Sequence, residues 1–462
     1  MTPPNLSAHF WQNHSGAFIA LWTSGELAYA LFDTGLITTS LEDGSYPALS
    51  PKHPGAAWFE KLSLDLNGHK ASGVTHTGTA IEHYLSPNGT APWPEFHPAP
   101  GEGVHQMAVG PIHAGIIEPG HFRFSIIGEK VLKLEARLGY THKGTLALMR
   151  GKSPRNAARF AARIAARISG DATVAHSLAF AHATEAALGL TPPPRAVYLR
   201  AVMAELERMA NHTSDIGAIA GDAGFAFLDA RFAWHRESLC AAANAAFGHR
   251  LMMDMVIPGG VAGDMKTGGD DAIRRSLDAL ETELPGLTRV FEDYASLQDR
   301  LVGTGHIGIH LAARYAAGGV TGRASGRQVD ARTSPGYAPY ELMELAVPVE
   351  TEGDVAARVK IRLAELAESY RIIRTLLNHL PDGQIAIAPP ATSGMALGVA
   401  ESFRGPVWHW LNIESGLITD IFVADASTLH WPLVEHAACT SIIADFPLIN
   451  KSVNASYSGV DL

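Results

Sequence analysis

The 462-residue chain contains only two cysteines, Cys240 and Cys439. Two thiols are too few for a disulfide framework, and they cannot supply the four ligands of an iron–sulfur cluster. A reducing compartment therefore fits the sequence best. No window of about 18 apolar residues is free of charge, and no basic and apolar leader opens the chain. We therefore expect a protein that does not span a membrane by itself.

Positive charge is also scarce. Lys and Arg number 36 against 46 Asp and Glu, which gives a formal net charge of −10. This balance argues against a nucleic-acid partner. The sequence has no G-x-x-x-x-G-K-[ST], H-E-x-x-H or G-x-S-x-G motif, so nucleotide-phosphate sites and common hydrolase sites are unsupported. The segment TGRASGRQVDAR, residues 321–332, is interpreted as a basic turn held by ion pairs to neighbouring acids.

The composition that remains is that of a folded protein. Hydrophobic residues make up 47% of the chain and charged residues 18%, which suits one large domain and a smaller one. The loop SPNGTAPWPEFHPAPGEG marks the clearest boundary, and we place it at residue 98. Before it, GAFIALW predicts a short strand, ELAYALF an apolar element, and WFEKLSLDLNG an amphipathic helix that ends at glycine.

The rest of the chain predicts an α+β fold. Residues 105–140 alternate apolar and polar residues around two Gly/Pro turns, which predicts two or three antiparallel strands. From Ser153-Pro154 the pattern becomes helical, and four or five long helices are expected to form a central bundle. From about Gln384 short strands alternate with turns. The expected architecture is a central long-helix bundle with an N-terminal antiparallel β-sheet segment and a mixed C-terminal region, preceded by a small α/β domain.

Few side chains are spaced for chemistry. In GIIEPGHFRF, Glu118 and His121 flank a Pro-Gly turn and could serve a common proton path. The alternative, favoured on the residues alone, is a turn whose Glu and His bond to nearby backbone. His176 and His182 are six apart on a predicted helix, which does not suit a pair of metal ligands. They are interpreted as packing or capping histidines.

A family resemblance extends this interpretation. The blocks GPIHAGIIEPGHFRF, AHSLAFAHATEAALG, PPPRAVYLRAVMAELERMANH, RASG and DFPLINKS occur in this order between residues 104 and 462. They resemble the large subunit of energy-converting (group 4) nickel–iron hydrogenases and its paralogue in NADH-quinone oxidoreductase (respiratory complex I). Residues 1–98 resemble, in shortened form, the complex I module that is fused ahead of the large subunit in formate-hydrogenlyase-type proteins. Residues 99–462 would form the large-subunit domain.

The resemblance singles out four positions. Hydrogenase large subunits carry a C-G-x-C pair where this chain has residues 169–172, and a second C-x-x-C pair where it has residues 456–459. The thiolates are thus replaced by Ser169, Ala172, Ser456 and Gly459. Hydroxyls, a methyl group and a hydrogen atom cannot hold nickel and low-spin iron as thiolates do. The resemblance therefore implies no metal, and an active nickel–iron hydrogenase is the least favoured hypothesis.

In complex I the vacated cavity binds a quinone headgroup with the help of a histidine, a tyrosine and an aspartate. By position His121 and Asp222 match the histidine and the aspartate, whereas the tyrosine falls on Gly170. Glu118 falls where hydrogenases keep a proton-transfer glutamate. Arg323 and Asp330 would line the cavity or pair with each other. The resemblance thus predicts Glu118, His121 and Asp222 as proton-handling catalytic residues, His121, Gly170 and Arg323 as acceptor-binding residues, and no metal ligand.

Two functions follow from these residues. The first is an oxidoreductase-complex subunit whose metal-free cavity binds a quinone or a similar acceptor, reduced through a 4Fe-4S cluster on a partner, the iron–sulfur small subunit. Antiporter-like membrane subunits would couple this step to ion movement at the cytoplasmic side of the inner membrane. The second is a non-catalytic scaffold that docks the iron–sulfur subunit onto the membrane arm. A polar, open cavity would favour the first function, and a collapsed apolar one the second.

Overall fold

The structure is a computed structural model that describes residues 3–74, 76, 78–81, 95–113, 118–159 and 167–462. Within these ranges helices alternate with five small sheets, and four of these sheets are antiparallel. The expected α+β class is confirmed.

The N-terminal region is built on a three-stranded antiparallel meander. Its elements are α1 (Ala8–Gln12), β1 (Phe18–Ser24), β2 (Leu27–Phe32), β3 (Gly35–Ser40), β4 (Ser45–Pro47), α2 (Ala56–Asn67) and β5 (Lys70–Ser72). Strand order is β1-β2-β3, and β4 pairs with β5 in parallel. Both apolar segments of the sequence form strands, and α2 ends at Gly68, whose φ of 73° is the left-handed cap that glycine favours.

Residues 86–94 of the predicted boundary loop lie outside the described residues. A second antiparallel sheet follows residues 95–104. It consists of β6 (His105–Val109), β7 (His121–Ile127) and β8 (Lys130–Arg137), with β7 in the centre. This confirms the predicted strands. Its register places His121 opposite Arg137.

Long helices form the middle of the molecule. The elements are α3 (Thr145–Met149), α4 (Pro154–Arg159), α5 (Thr173–Leu188), α6 (Pro194–Asp222), α7 (Ala226–Phe247), β9 (Val256–Ile257), β10 (Gly260–Val261), α8 (Gly269–Asp293), α9 (Ala295–Leu301), α10 (Ile309–Arg314), α11 (Gly319–Ala324) and α12 (Val355–Asn378). In the described part of the chain α5, α6, α7, α8 and α12 are the five long helices, as predicted. Their apolar faces meet in one large core.

The helical pattern that begins at Ser153-Pro154 is interrupted before α5. Residues 167–172 form turns and a short 3₁₀ segment, and α5 begins only at Thr173. Residues 160–166 lie outside the described residues. The stretch RISGDATVAH is therefore a loop that enters a helix, and its Ser169 and Ala172 lie before the helix rather than within it.

The C-terminal region is more regular than expected. Three antiparallel strands, β11 (Gly394–Ser402), β12 (Gly405–Glu414) and β13 (Leu417–Ala424), precede α13 (Ser427–Ala438), α14 (Phe446–Val453) and α15 (Ser458–Asp461). Helix α5 lies on this sheet so closely that a Cβ added to Gly398 would lie 2.2 Å from the Ala183 backbone nitrogen. This close approach brings side chains of α5 and β12 together.

The N-terminal meander packs on the C-terminal sheet. Trp22 stacks on Tyr29, with ring centroids 5.4 Å apart, and on Phe422 of β13 at 5.0 Å. Trp410 of β12 lies 5.1 Å from Tyr29. These rings belong to one buried apolar cluster. The domain boundary at residue 98 stays a prediction. No helix among the described residues has the length and apolar character needed to cross a membrane.

Candidate functional site

The two loops that carry the former thiolate positions meet in the interior. Ser169 Oγ and Ser456 Oγ lie 3.1 Å apart, although 287 positions separate them in the chain. The Gly459 N–H donates to Ser456 Oγ at 2.9 Å, and the Ala172 N–H donates to the Ser169 carbonyl at 3.2 Å. All four residues are buried. The positions that the resemblance relates to metal ligands therefore form one site.

A charged pair crosses this site. Arg404 Nη1 and Nη2 donate to the two carboxylate oxygens of Asp171 at 2.8 and 2.7 Å, and Ser169 Oγ also donates to Asp171. Arg404 further donates to the Asn454 backbone carbonyl, so it joins the two loops. Desolvation alone would raise the pKa of Asp171, yet the Arg404 guanidinium lowers it below the usual value. Solvent reaches 45% of the Asp171 side chain, which screens the pair on that side.

These residues do not fit a nickel–iron centre. The four former ligand positions offer hydroxyl oxygens, a methyl group and a hydrogen atom, and the charge nearby is already an ion pair. In the part of the chain that the structure describes, no group of three or more His, Cys, Asp or Glu side chains could hold a metal ion.

A buried chain of titratable groups starts at the same place. Asp425 Oδ2 lies 3.0 Å from His176 Nε2, and His176 Nδ1 lies 3.2 Å from His409 Nε2. A Cβ added to Gly459 would lie 2.8 Å from Asp425 Oδ2. Burial would raise the pKa of Asp425, but the hydrogen bond to His176 holds it below the usual value. Burial lowers the pKa of His409, and His176 lowers it further.

The spacing of residues in the sequence did not predict the contacts among Asp425, His176 and His409, because these residues lie on α5, on β12 and just after β13. His176 was interpreted as a packing histidine, whereas the structure places it between two titratable partners. His182 does pack as predicted: its Nδ1 lies 2.8 Å from the Val399 carbonyl oxygen, and its ring lies 5.0 Å from that of Tyr337.

One C-terminal segment, residues 451–459, contacts Glu118 and Asp222, two of the predicted catalytic residues, and the glycine before the third, His121. The Ser458 N–H donates to Glu118 Oε2 at 2.8 Å. Lys451 Nζ donates to Asp222 Oδ1 at 2.7 Å. A Cβ on Gly120, the residue before His121, would lie 2.5 Å from the Tyr457 ring. The segment thus ties β7, the end of α6 and the Ser169 loop to each other.

Glu118 and His121 differ in their bonding. Glu118 is exposed, and its carboxylate accepts a hydrogen bond from the backbone N–H of Ser458 rather than from a residue near it in the sequence. His121 begins β7 with its ring 4.9 Å from that of Phe96, and its buried Nε2 has no hydrogen-bond partner among the described residues. Burial lowers the pKa of His121, and the charges of Arg123 and Arg137 lower it further.

Asp222 has an unpaired side-chain oxygen, and Gly170 has open space beside it. Asp222 ends α6; its Oδ1 is paired with Lys451, while its buried Oδ2 has no partner in the described ranges. Gly170 is exposed, and no described atom lies within 4 Å of a Cβ added to it. The position that the resemblance gives to a tyrosine is therefore open.

Arg323 and Asp330 lie in a buried ionic cluster. Arg323 donates to Glu365 at 2.8 Å, to Glu401 at 3.0 Å and to Asp330 at 3.4 Å, and Arg332 bonds Asp330 at 2.6 Å. The predicted ion pairs to acids are confirmed, but Arg323 lies in helix α11 rather than in a turn, and Glu365 and Glu401 are distant in the sequence. The guanidinium group of Arg323 thus donates to three carboxylates of the protein. Its role in acceptor binding stays a prediction.

Two large cavities, of about 570 and 520 Å³, occur among the described residues. The first lies between α2, β8 and α13, and the second between the N-terminal meander and residues 327–335. Neither is lined by Ser169, Ala172, Ser456 or Gly459. At the former thiolate position the described residues form polar contacts, Ser169 with Ser456 and Arg404 with Asp171, rather than the collapsed apolar cluster that was one of the two expectations.

Known proteins resemble this chain over long stretches. The family described as the 49 kDa subunit of respiratory-chain NADH dehydrogenase matches residues 222–418. Formate hydrogenlyase subunit 5 of Escherichia coli is 27% identical over 441 residues, which cover 90% of this chain and 77% of that protein. The carbon monoxide-induced hydrogenase of Rhodospirillum rubrum is 28% identical over 77% of this chain and 98% of its own length.

A third relative, a subunit of the NADH-quinone oxidoreductase of Acidiphilium cryptum, is 30% identical over 63% of this chain and 72% of that protein. The chain is thus a large subunit of the oxidoreductase-complex type. It belongs to the family that unites the large subunits of group 4 hydrogenases with the 49 kDa subunit of complex I.

Proposed function

We propose that this subunit binds the headgroup of a quinone or a similar acceptor beside His121 and that a 4Fe-4S cluster on a partner, the iron–sulfur small subunit, reduces it. Cys240 and Cys439 are free cysteines on different elements, so the cluster belongs to the partner. Antiporter-like membrane subunits would use the redox energy to move ions. The complex would lie at the cytoplasmic side of the inner membrane.

The observation that carries this proposal is the buried, unpartnered Nε2 of His121. An unsatisfied buried polar atom costs about 1–3 kcal/mol, which a carbonyl oxygen of a bound acceptor would recover. The lowered pKa of His121 favours the neutral ring at working pH, so that the ring can carry its proton on Nε2 and donate it.

Proton supply follows from the neighbours. Glu118 is exposed and bonded to the Ser458 N–H, so its carboxylate can exchange protons with solvent next to the same C-terminal segment. Asp222 keeps one oxygen unpaired beside Lys451. Gly170 leaves space where a larger side chain would stand. We assign acceptor binding to His121 and Gly170, and proton delivery to Glu118 and Asp222.

The test uses the detergent-extracted native complex, driven by reduced methyl viologen, with decylubiquinone and a menaquinone analogue as acceptors. His121→Ala should lower quinone reduction by at least about tenfold, which corresponds to one lost hydrogen bond to the reacting group. His105→Ala is the matched control, because His105 is exposed on the neighbouring strand β6. Equal rates in both variants, with assembly intact, would contradict the acceptor site.

A specific observation also favours the second function, a scaffold without its own chemistry. Ser169 bonds Ser456, and Arg404 bonds Asp171, so the polar groups at the former thiolate position are already bonded to each other. A complex whose clusters are reduced by the viologen, as read by electron paramagnetic resonance, but which reduces neither quinone would support the scaffold.

A further inference from the structure

The cavity of about 520 Å³ lies between two parts of the chain, and its lining residue Asp425 also contacts His176 of the candidate site. One wall is the N-terminal meander, with Ile19, Leu31 and Phe32; the other includes Leu397, Trp408 and Leu429. Its volume lies within the range of about 300–1,000 Å³ that small-molecule sites occupy, and such sites are mostly apolar with a few polar groups. Glu118, His121, Gly170 and Asp222 are not among its lining residues.

The charged groups of this wall are already satisfied. Asp330 is bonded by Arg332 and Arg323, and Asp425 accepts from the Ser427 N–H while it contacts His176. Arg327 donates to the carbonyl oxygens of Ala312 and Ala317. Both buried carboxylates therefore have cationic or N–H partners, and Arg327 Nη1 is committed to two backbone carbonyl oxygens.

Two polar groups on the wall remain unsatisfied. His430 is 1% exposed, and neither ring nitrogen has a hydrogen-bond partner of normal geometry among the described residues, although a contact of hydrogen-bond type with the Gly318 backbone raises the pKa of the ring against the larger effect of burial. The buried Trp408 Nε1 also has no partner among these residues. Burial lowers the pKa of His430 to about 4, so the ring is neutral near pH 7 and offers one donor and one acceptor.

We propose that this cavity binds a neutral, largely apolar small molecule whose carbonyl or hydroxyl oxygen accepts a hydrogen bond from His430 or Trp408. The apolar walls disfavour a strongly hydrated ligand or a free ion, because burial of a charge against them is costly. The two unpaired groups supply the polar contacts that fix such a ligand. This site does not depend on the acceptor site at His121.

Its entrance can be blocked without touching the core. Ser334 lines the cavity but is exposed, as is Asp33 on the meander. The probe is Nile red, an uncharged dye with one carbonyl group, titrated into the full-length chain in detergent-free buffer. Ser334→Trp should weaken saturable binding by at least about tenfold, since the indole would occupy the entrance. Ser296→Trp, at an exposed position of α9, is the matched control and should bind as wild type does.

The polar contact has its own test. His430→Phe should weaken Nile red binding by about three- to tenfold, the range of one net hydrogen bond, and should leave binding of the hydrocarbon diphenylhexatriene unchanged. Should calorimetry show that His430→Phe does not fold, Trp408→Phe, at a half-buried residue, serves the same purpose. Equal Nile red affinity in Ser334→Trp and Ser296→Trp would overturn the proposal.

Two sources could supply such a ligand, a quinone or a neutral lipid. Organic extraction of the purified native complex distinguishes them, because only a quinone changes its ultraviolet absorbance on reduction. Either compound supports the site if Ser334→Trp removes it. Equal amounts from wild type and Ser334→Trp would contradict the site.

Discussion

The interior of the candidate site and its rim differ in how their polar groups are satisfied. In the interior, Ser169, Ser456 and Asp171 are bonded to each other or to Arg404. Outside this interior, at the residues that we call the rim, His121 and Asp222 each keep a buried atom without a partner among the described residues. Buried polar atoms are rarely left unpaired without a reason, so we expect the interior residues to serve structure and the rim residues to serve a ligand.

The largest effect is expected from Arg404→Met. The change leaves Asp171 without its cation and two loops without their common donor. Breaking such a pair should cost about 2–4 kcal/mol, reduced from the fully buried case by the solvent at Asp171. Urea unfolding measures the loss.

Arg250→Met is the matched control for this change, because Arg250 pairs with Glu237 where both side chains are about half exposed. It should cost less than about 1 kcal/mol. Similar losses in the two variants would remove the distinction between a structural interior and an ordinary surface pair.

The next effect separates the two glycines of the site. A Cβ at Gly459 would lie 2.8 Å from Asp425 Oδ2 and 3.0 Å from Ser456 Oγ, so Gly459→Ala should destabilise by about 1–3 kcal/mol. Gly170→Ala meets no described atom within 4 Å and should stay within about 0.5 kcal/mol of wild type. The change in the free energy of unfolding of each variant is measured from the midpoint of its urea unfolding curve. A stable Gly459→Ala protein would show that the interior is looser than the contacts indicate.

Acid should weaken the interior through Asp425. Its pKa is held below the unfolded value of about 3.9, so its contribution to stability is fully present above that pH and is lost as the pH falls below it. The slope there is at most about 1.4 kcal/mol per pH unit for one proton. Asp425→Asn should flatten the decline of the free energy of unfolding between about pH 4 and pH 2. An unchanged slope would mean that other carboxylates dominate the acid limb.

The smallest effect on stability is expected at the rim. His121→Phe removes an unpaired buried nitrogen, so the free energy of unfolding should stay the same or rise by up to about 1 kcal/mol, even as quinone reduction falls. Calorimetry measures the stability and the viologen assay measures the quinone reduction, both on the same preparation. A clear loss of stability would place His121 with the structural residues of the interior.

Local signals in the sequence predicted much of the fold. Alternation gave β6–β8, helical periodicity gave the five long helices, and the glycine after WFEKLSLDLN gave the end of α2. The break before α5 was missed because alanine-rich residues on both sides have high helix propensity, and because a tertiary ion pair at Asp171 holds the loop.

The candidate site was only half predictable. Resemblance pointed to Ser169, Ser456, His121 and Asp222, but not to their partners. Arg404, Lys451 and His409 lie on separate elements, up to 235 positions from the residues they bond, and no spacing rule links such pairs. Long-range pairs of this kind depend on how α5 and the C-terminal sheet pack, which is decided by tertiary contacts.

The aromatic stack between the meander and the C-terminal sheet gives the molecule an optical signature. Trp22 lies within 4° of parallel to Tyr29 and within 11° of parallel to Phe422, and Trp410 contacts the same group. Fixed rings at such separations couple their electronic transitions and give strong near-ultraviolet circular dichroism. That signal should report whether residues 18–32 remain docked on β12 and β13. Separation of the two sheets would abolish it while leaving the helical far-ultraviolet spectrum in place.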